Sequence, residues 1–272
     1  MPNVDAKVAV IGAGSMGGAI ASGLVSSGTC DPKAVLLCDP SEQRLEGFST
    51  RFGMSTFRSN AEALAQGPDV TVLAVKPQVL PGVLESLADS VAGSLVISIA
   101  AGVTLSTLEA ALPGARVIRT MPNLPVSVRS GAIAIAPGTA ATADDVALAQ
   151  TLFSALGSVA VMREDQLDVE CAVASCAPAY FALMVDALTR AGILEGLGAS
   201  EGRSLVESTM LGTARMLLES GEHPRAYMER VTSPGGTTAA ALAELEPALV
   251  EGAYAAVSAA LRRGDELAEA AK

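Results

Sequence analysis

Residues Gly12-Ala13-Gly14-Ser15-Met16-Gly17 space three glycines as G-x-G-x-x-G. The run follows an apolar stretch, Lys7 to Ile11, and opens a stretch of helical period, Ser15 to Ser27, with Ala19, Ile20, Gly23 and Leu24 on its inner face. In that setting Gly12 makes a tight turn, Gly14 lets backbone approach a pyrophosphate, and Gly17 lets helix and strand pack closely. The helix start adds amide N–H groups and partial positive charge, with Ser15 and Met16 in its first turn. The loop predicts a bound dinucleotide.

Asp39 closes the next apolar run, where an acidic residue bonds the adenosine ribose of NAD. Ser41 and Arg44 follow on the same turn and suit the 2′-phosphate of NADP. The residues leave NADH and NADPH both open. Ala74-Val75-Lys76-Pro77, Ala100-Ala101-Gly102 and Met121-Pro122-Asn123 follow three further apolar runs. Ligands of an open parallel sheet bind outside such strand ends, where small residues leave room for a ribose and a nicotinamide. Asn123 can bond a carboxamide or substrate, or shape the turn.

A second motif runs from Arg230 to Thr238, before the last helical stretch. Gly235 and Gly236 permit a backbone that aims several N–H groups at one point. Ser233, Thr237 and Thr238 add hydroxyls, so the loop suits a carboxylate. The same residue types also serve ordinary capping.

Reduction of a carbonyl calls for a Lys, His or Tyr to protonate the alkoxide. The chain has four lysines (Lys7, Lys33, Lys76 and Lys272), none in the helical half before its last residue. Its one histidine, His223, precedes a proline and reads as closing a helix; Tyr180 is the one plausible phenol there. A protonated imine already carries its proton, so a hydride donor and a carboxylate clamp suffice for it.

These residues need elements to hold them. Apolar runs at Lys7–Ile11, Ala34–Cys38, Val70–Val75, Leu95–Ile99, Val117–Thr120, Ala132–Ala136 and Val159–Met162 alternate with helical stretches. That predicts an α/β domain with a mostly parallel sheet covered on both faces, a Rossmann-like unit over residues 1–163. Residues 164–272 read as helices only, over Pro178–Leu194, Glu201–Ser220 and Thr237–Ala271, with too few polar faces for a lone unit.

The 272 residues are 50% hydrophobic and 17% charged, with aromatics at 3% and no Trp, so the cores are aliphatic. A net charge of −11 disfavours nucleic acid and anionic membranes. No run reaches the roughly 18 unbroken apolar residues of a spanning helix, and Met1 to Asp5 is polar, so a cytoplasmic protein without membrane partners is expected. The four cysteines lack a Cys-x-x-Cys pair and read as reduced thiols, with no metal.

The chain resembles the pyrroline-5-carboxylate reductase family over nearly its whole length. The resemblance is carried by IGAGSMGGAI from Ile11, AVKPQ from Ala74 to Gln78, SIAAGVTL from Ser98, RTMPN from Arg119, PAY from Pro178, LLESGEHP from Leu217 and VTSPGGTT from Val231. It implies NAD(P)H-dependent reduction of 1-pyrroline-5-carboxylate to L-proline. It also implies an all-helical dimerisation domain, an active site at the dimer interface and, in many members, rings of dimers. By resemblance Ser233, Gly235, Gly236, Thr237 and Thr238 hold the substrate carboxylate, with Thr238 near the ring nitrogen. Ala100, Ala101, Pro122 and Asn123 flank the nicotinamide, and Asn60 lies beside the adenosine.

Two segments depart from the family pattern. Ala174-Ser175-Cys176-Ala177 stands where the family has Ser-Gly-Ser-Gly, and Leu124 where it has Thr. A bulkier, less hydroxylated pocket allows a related cyclic imine carboxylate as alternative substrate. A β-hydroxyacid dehydrogenase shares the layout but needs a lysine on the helix after the first domain, which is absent. A non-catalytic dinucleotide-binding protein has only the altered segment in its favour.

Overall fold

The computed structural model describes residues 4–270. Met1–Asn3, in the expected polar N-terminus, and Ala271 and Lys272 lie outside the described residues. By contacts the chain divides into two compact units: residues 177–260, and the remainder.

The first unit is built on an eight-stranded sheet, β1 (Val8–Ile11), β2 (Val35–Cys38), β3 (Ser55–Phe57), β4 (Val70–Leu73), β5 (Leu95–Ser98), β6 (Arg116–Pro122), β7 (Gly131–Pro137) and β8 (Gly157–Val161). The spatial order is β3-β2-β1-β4-β5-β6-β7-β8, parallel except where β7 runs against β6. Strand β1 is the pivot: the chain first builds outward to β2 and β3, then returns to lay β4 on the other side of β1. That reversal opens a crevice at the C-terminal strand ends.

Register sets the crevice residues side by side. Ile11 pairs with Cys38 and with Leu73, and Leu73 with Ser98. The next residues of these strands, Gly12, Asp39, Ala74 and Ile99, therefore leave the sheet level with one another. Main-chain bonds continue the ladder there: Gly12 N–H to the Cys38 carbonyl (2.7 Å), Ala74 N–H to Ile11 (2.8 Å) and Ile99 N–H to Leu73 (3.1 Å).

Strand residues alternate between two aliphatic cores. Val8, Val10, Val35 and Leu37 pack with Ile20 and Leu24 of α1 (Ser15–Ser26) and with Leu152 and Phe153 on the same face. Ala9, Ile11, Leu36 and Leu73 face the other core. The first turn after β2 starts α2 (Glu42–Phe52), whose Leu45 is buried. Short helices α3 (Asn60–Leu64), α4 (Leu80–Leu87) and α5 (Leu105–Ala111) cover the second face, and α6 (Ala143–Ser154) supplies Leu152 and Phe153 to the first.

The sequence reading missed β3. Its Ser-Thr-Phe is short, has a single apolar residue and is only half-buried at the sheet edge, so it lacks the apolar signature of the other strands.

After β8, a single turn at Glu164–Gln166 leads to α7 (Leu167–Glu170), a π-helical turn (Cys171–Ser175) and α8 (Ala177–Leu194). Together they form a helical run, Glu164–Leu194, long and apolar enough to cross a bilayer by length and composition. Reading unbroken apolar residues had found none, because Glu170 and Asp186 interrupt the run.

The second unit holds α8, α9 (Ala199–Ser220), α10 (Pro224–Arg230) and α11 (Thr237–Ala270) as far as residue 260. Helices α8 and α9 form a hairpin, with Thr189 buried. Phe181, Leu183, Leu194, Leu205, Leu211 and Leu218 are exposed in the single chain. His223 does not close a helix, contrary to expectation. Gly221, in the left-handed region at φ +63°, ends α9, and His223 caps the start of α10, its Nδ1 accepting from Arg225 N–H at 3.2 Å. Pro224 fits that first turn because it has no N–H to satisfy there. Pro247 lies inside α11.

Candidate dinucleotide and substrate sites

Gly12 has φ +105°, a conformation open to glycine, and a Cβ there would lie 2.6 Å from the Ala74 carbonyl oxygen. At Gly17 a Cβ would overlap the Gly12 carbonyl. The loop is thus shaped by backbone packed on backbone. Gly14, the residue before α1, differs: nothing lies within 4 Å of where its Cβ would be. That space adjoins the first turn of α1, which has no side-chain cap and no acidic residue, with Ser15 exposed and Met16 half-buried beside it. First-turn N–H groups have no partners within a helix, so this end fits a pyrophosphate.

Asp39 is 4% exposed and heavily engaged. Its Oδ2 accepts Ala13 N–H at 2.9 Å and meets Arg44 Nη1 at 3.3 Å; its Oδ1 accepts Ser41 N–H at 2.9 Å. The carboxylate therefore ties the glycine loop to the turn after β2. Ser41 precedes α2 without using its hydroxyl as a cap, and the Arg44 side chain is 60% exposed. Asn60 begins α3, accepting the Cys38 thiol at 3.3 Å and donating to Ser86 Oγ at 3.3 Å.

Ala74 and Val75 are half-buried after β4, and Lys76 and Pro77 are exposed. Ala100 is buried after β5, with Ala101 and Gly102 exposed. Pro122 and Asn123 are buried at the end of β6. The Asn123 amide is in use: Nδ2 donates to the Ala174 carbonyl at 3.1 Å and Oδ1 accepts Ala132 N–H at 2.9 Å. Asn123 thus joins the β6 end to β7 and to the π turn.

In the second unit, Ser233-Pro234-Gly235-Gly236 is a tight turn. Gly236 N–H bonds the Ser233 carbonyl at 3.0 Å, Pro234 takes the second position, and Gly235 has φ +69° in the third. That is a type II turn, which proline and glycine favour at those places. The Gly236 N–H is spent on the turn, so the groups left to face a carboxylate are at the start of α11, where Thr237 is exposed and Thr238 half-buried.

Sequence reasoning missed two features. Arg119 lies on β6 with its side chain 3% exposed, paired with Glu164 (3.1 Å) and Asp168 (3.3 Å). Glu164 Oε1 also accepts Leu105 N–H at 2.6 Å, so the pair fixes the chain leaving β8 to the start of α5. The signal was an arginine inside a buried strand, which needs anionic partners. The second is Glu170, whose carboxyl burial pushes up to about 7; Ser175 Oγ donates to its Oε2 at 3.2 Å, and Oε1 is buried without a hydrogen-bond partner. Among the described residues no cluster of His, Cys, Asp and Glu is suited to a metal ion.

Residues 164–267 match the family model described as pyrroline-5-carboxylate reductase dimerisation. Residues 7–102 match that described as NADP oxidoreductase, coenzyme F420-dependent. The pyrroline-5-carboxylate reductase of Synechocystis sp. is 40% identical over 266 residues, covering 96% of this chain and 98% of that one. The solved pyrroline-5-carboxylate reductase of Coxiella burnetii is 36% identical, with a TM-score of 0.92 over 97% of this chain and 99% of that one. The Plasmodium falciparum pyrroline carboxylate reductase, solved with NADP bound, is 26% identical, with a TM-score of 0.86 over 98% and 100%.

Proposed function

The chain belongs to the pyrroline-5-carboxylate reductase family, and we propose that it reduces 1-pyrroline-5-carboxylate to L-proline with NADPH, the last step of proline formation. The observation that carries the reaction is the pairing of a dinucleotide-shaped glycine loop with an intact Ser233–Thr238 turn in one chain of this family. When bound, the reduced nicotinamide supplies the hydride.

The residues act by binding and orientation. The start of α1 and the open space at Gly14 receive the pyrophosphate. The free hydroxyl of Ser41 and the exposed guanidinium of Arg44 receive the 2′-phosphate. Asp39 supports NADPH over NADH, because its carboxylate holds Ala13, Ser41 and Arg44 instead of standing free for a ribose diol. Asn60 borders the adenosine; Ala74, Val75, Lys76, Pro77, Ala100, Ala101, Gly102, Pro122 and Asn123 line the ribose and nicotinamide end. Gly235 and Gly236 shape the turn that begins at Ser233, and the start of α11, with Thr237 and Thr238, holds the substrate carboxylate. Thr238 places its hydroxyl at the ring nitrogen, which is protonated in the imine and stays protonated in the amine product. Hydride addition at carbon then needs no further acid.

Residues 1–163 are assigned to the dinucleotide and residues 164–272 to substrate and self-association. The exposed apolar side chains of α8 and α9, including the α8 part of the long run Glu164–Leu194, are assigned to packing against a second copy in a cytoplasmic dimer, not to lipid. Rings of such dimers are a further form of that assembly. The acidic net charge supports no nucleic-acid role.

The test mixes purified protein with pyrroline-5-carboxylate and NADPH or NADH and follows loss of the reduced cofactor by absorbance. No consumption with either cofactor overturns the reading. Faster turnover of a six-membered cyclic imine carboxylate would favour the second substrate, which the Leu124 and 174–177 departures support. Thr238→Ala is expected to lose turnover while keeping cofactor affinity; unchanged turnover removes Thr238 from the mechanism.

A further inference from the structure

Cys171 and Cys176 bracket the π-helical turn, and Cys176 N–H bonds the Cys171 carbonyl at 2.9 Å. A bond from residue i+5 to residue i sets those two residues one helical turn apart, on the same side. Both side chains are half-buried, so neither is sealed from solvent. Across that turn the Cys176 sulfur is among the groups that raise the Cys171 thiol. The other two cysteines differ: Cys30 and Cys38 are 2% and 1% exposed, and burial pushes both thiols up to about 11.

We infer that Cys171 and Cys176 form a redox-active dithiol, which a glutathione-type disulfide converts to an intramolecular disulfide across the π turn. Burial and charge order the steps. Burial first, then the Cys176 sulfur and the Glu170 and Asp168 charges, push the Cys171 thiol up to about 11, so Cys171 is the poorer first nucleophile of the pair. Cys176 is therefore the first nucleophile. Its thiolate attacks one sulfur of the reagent; a mixed disulfide forms and one glutathione thiolate leaves. Cys171 then gives its proton to solvent or to that thiolate and attacks the Cys176 sulfur, expelling the second glutathione. Two protein thiols are oxidised and one disulfide is reduced to two thiols. A transient disulfide of this kind is compatible with a reducing compartment.

The turn carries more than its cysteines. Ala174, between them, is the residue whose carbonyl holds Asn123, and Ser175 holds Glu170. Drawing the two sulfurs together to about 2.05 Å tightens that turn and moves the Ala174 carbonyl. The bond to Asn123, at the nicotinamide end, then stretches. The effect on turnover rests on the reaction proposed above; the disulfide itself does not.

The full-length protein would be incubated with oxidised glutathione, denatured, alkylated and mapped by peptide mass. The expected product has Cys171 linked to Cys176, with Cys30 and Cys38 alkylated. Cys171→Ser is expected to stop at a glutathione adduct on Cys176, and Cys176→Ser to carry no adduct. Four alkylated cysteines in the wild type, or an adduct that never resolves, would overturn the inference. In the imine assay the linked protein is expected to lose turnover by ~10-fold or more and to recover with dithiothreitol, whereas Cys176→Ser, which carries neither link nor adduct, stays insensitive to oxidant. A complete link with unchanged turnover overturns the coupling to Asn123. Reduced protein that consumes no cofactor overturns the proposed reaction, and the link remains readable by mass.

Discussion

The Asp39 carboxylate accepts the Ala13 amide at 2.9 Å, joining the turn that leaves β1 to the turn that leaves β2. The bond is buried, and the same oxygen meets Arg44. An acid at this place in sequence reads as a ribose ligand; in the fold its carboxylate also clasps two turns together. Removing it in Asp39→Ala strands a buried N–H, at a cost of ~1–3 kcal/mol.

Arg44 is the residue on which the proposed preference for NADPH is tested. Its ion pair with Asp39 is largely solvent-exposed on the arginine side and adds little stability. Arg44→Ala is expected to leave the melting temperature nearly unchanged. A lost contact to phosphate of ~1.5–3 kcal/mol would raise the KM for NADPH about 10–100-fold, with NADH unaffected. Parallel rises for both cofactors in steady-state assays would remove the 2′-phosphate assignment.

Gly17→Ala tests the loop. The added methyl overlaps the Gly12 carbonyl, which is main chain and has nowhere to move. The variant should lose cofactor binding by titration calorimetry, with a lowered melting temperature. Wild-type affinity would show that the loop tolerates separation of α1 from β1.

Glu170 gives a pH dependence. Its folded carboxyl titrates at about 7, raised by burial from 4.5. Between those values the folded protein holds a proton that the unfolded chain releases. Stability therefore falls as pH rises from 4.5 to about 7 and is level above. Glu170→Gln keeps an acceptor for Ser175 and removes the charge. Thermal melts should show the variant gaining on the wild type at alkaline pH and not below the unfolded value. An equal gain at both would assign the effect to packing.

Leu183 is 64% exposed on α8, and Phe181 on the same helix is 58% exposed. Burying such side chains in an assembly contributes ~1.5–3 kcal/mol each. Leu183→Asp is expected to shift the protein toward monomer in analytical ultracentrifugation, with its helical content kept. An unchanged mass would move the interface to another face.

The parts legible in sequence were those set by neighbours along the chain. Val8–Ile11 is wholly apolar, and Gly12 and Gly17 have contacts that exclude a side chain, so strand and loop follow directly. What stayed hidden depends on partners far away. Asn123 meets Ala174 across 51 residues and Arg119 meets Asp168 across 49. Nothing local distinguishes an asparagine that binds a ligand from one that staples two segments. His223 was misplaced for a local reason: Gly221 already ends α9, and an imidazole can cap a helix as a hydroxyl does.

Pro247 has no N–H for the carbonyl of Ala243, so α11 carries a missing rung ten residues after it begins. Prolines are where long helices bend, so the 34-residue helix can be taken as two stretches joined at this point. The first, Thr237–Glu246, is only ~15 Å long and bears the Ser233–Gly236 turn at its tip. A small tilt of that short stretch swings the turn while the long stretch stays still, because bending at the missing rung breaks no main-chain bond that was made.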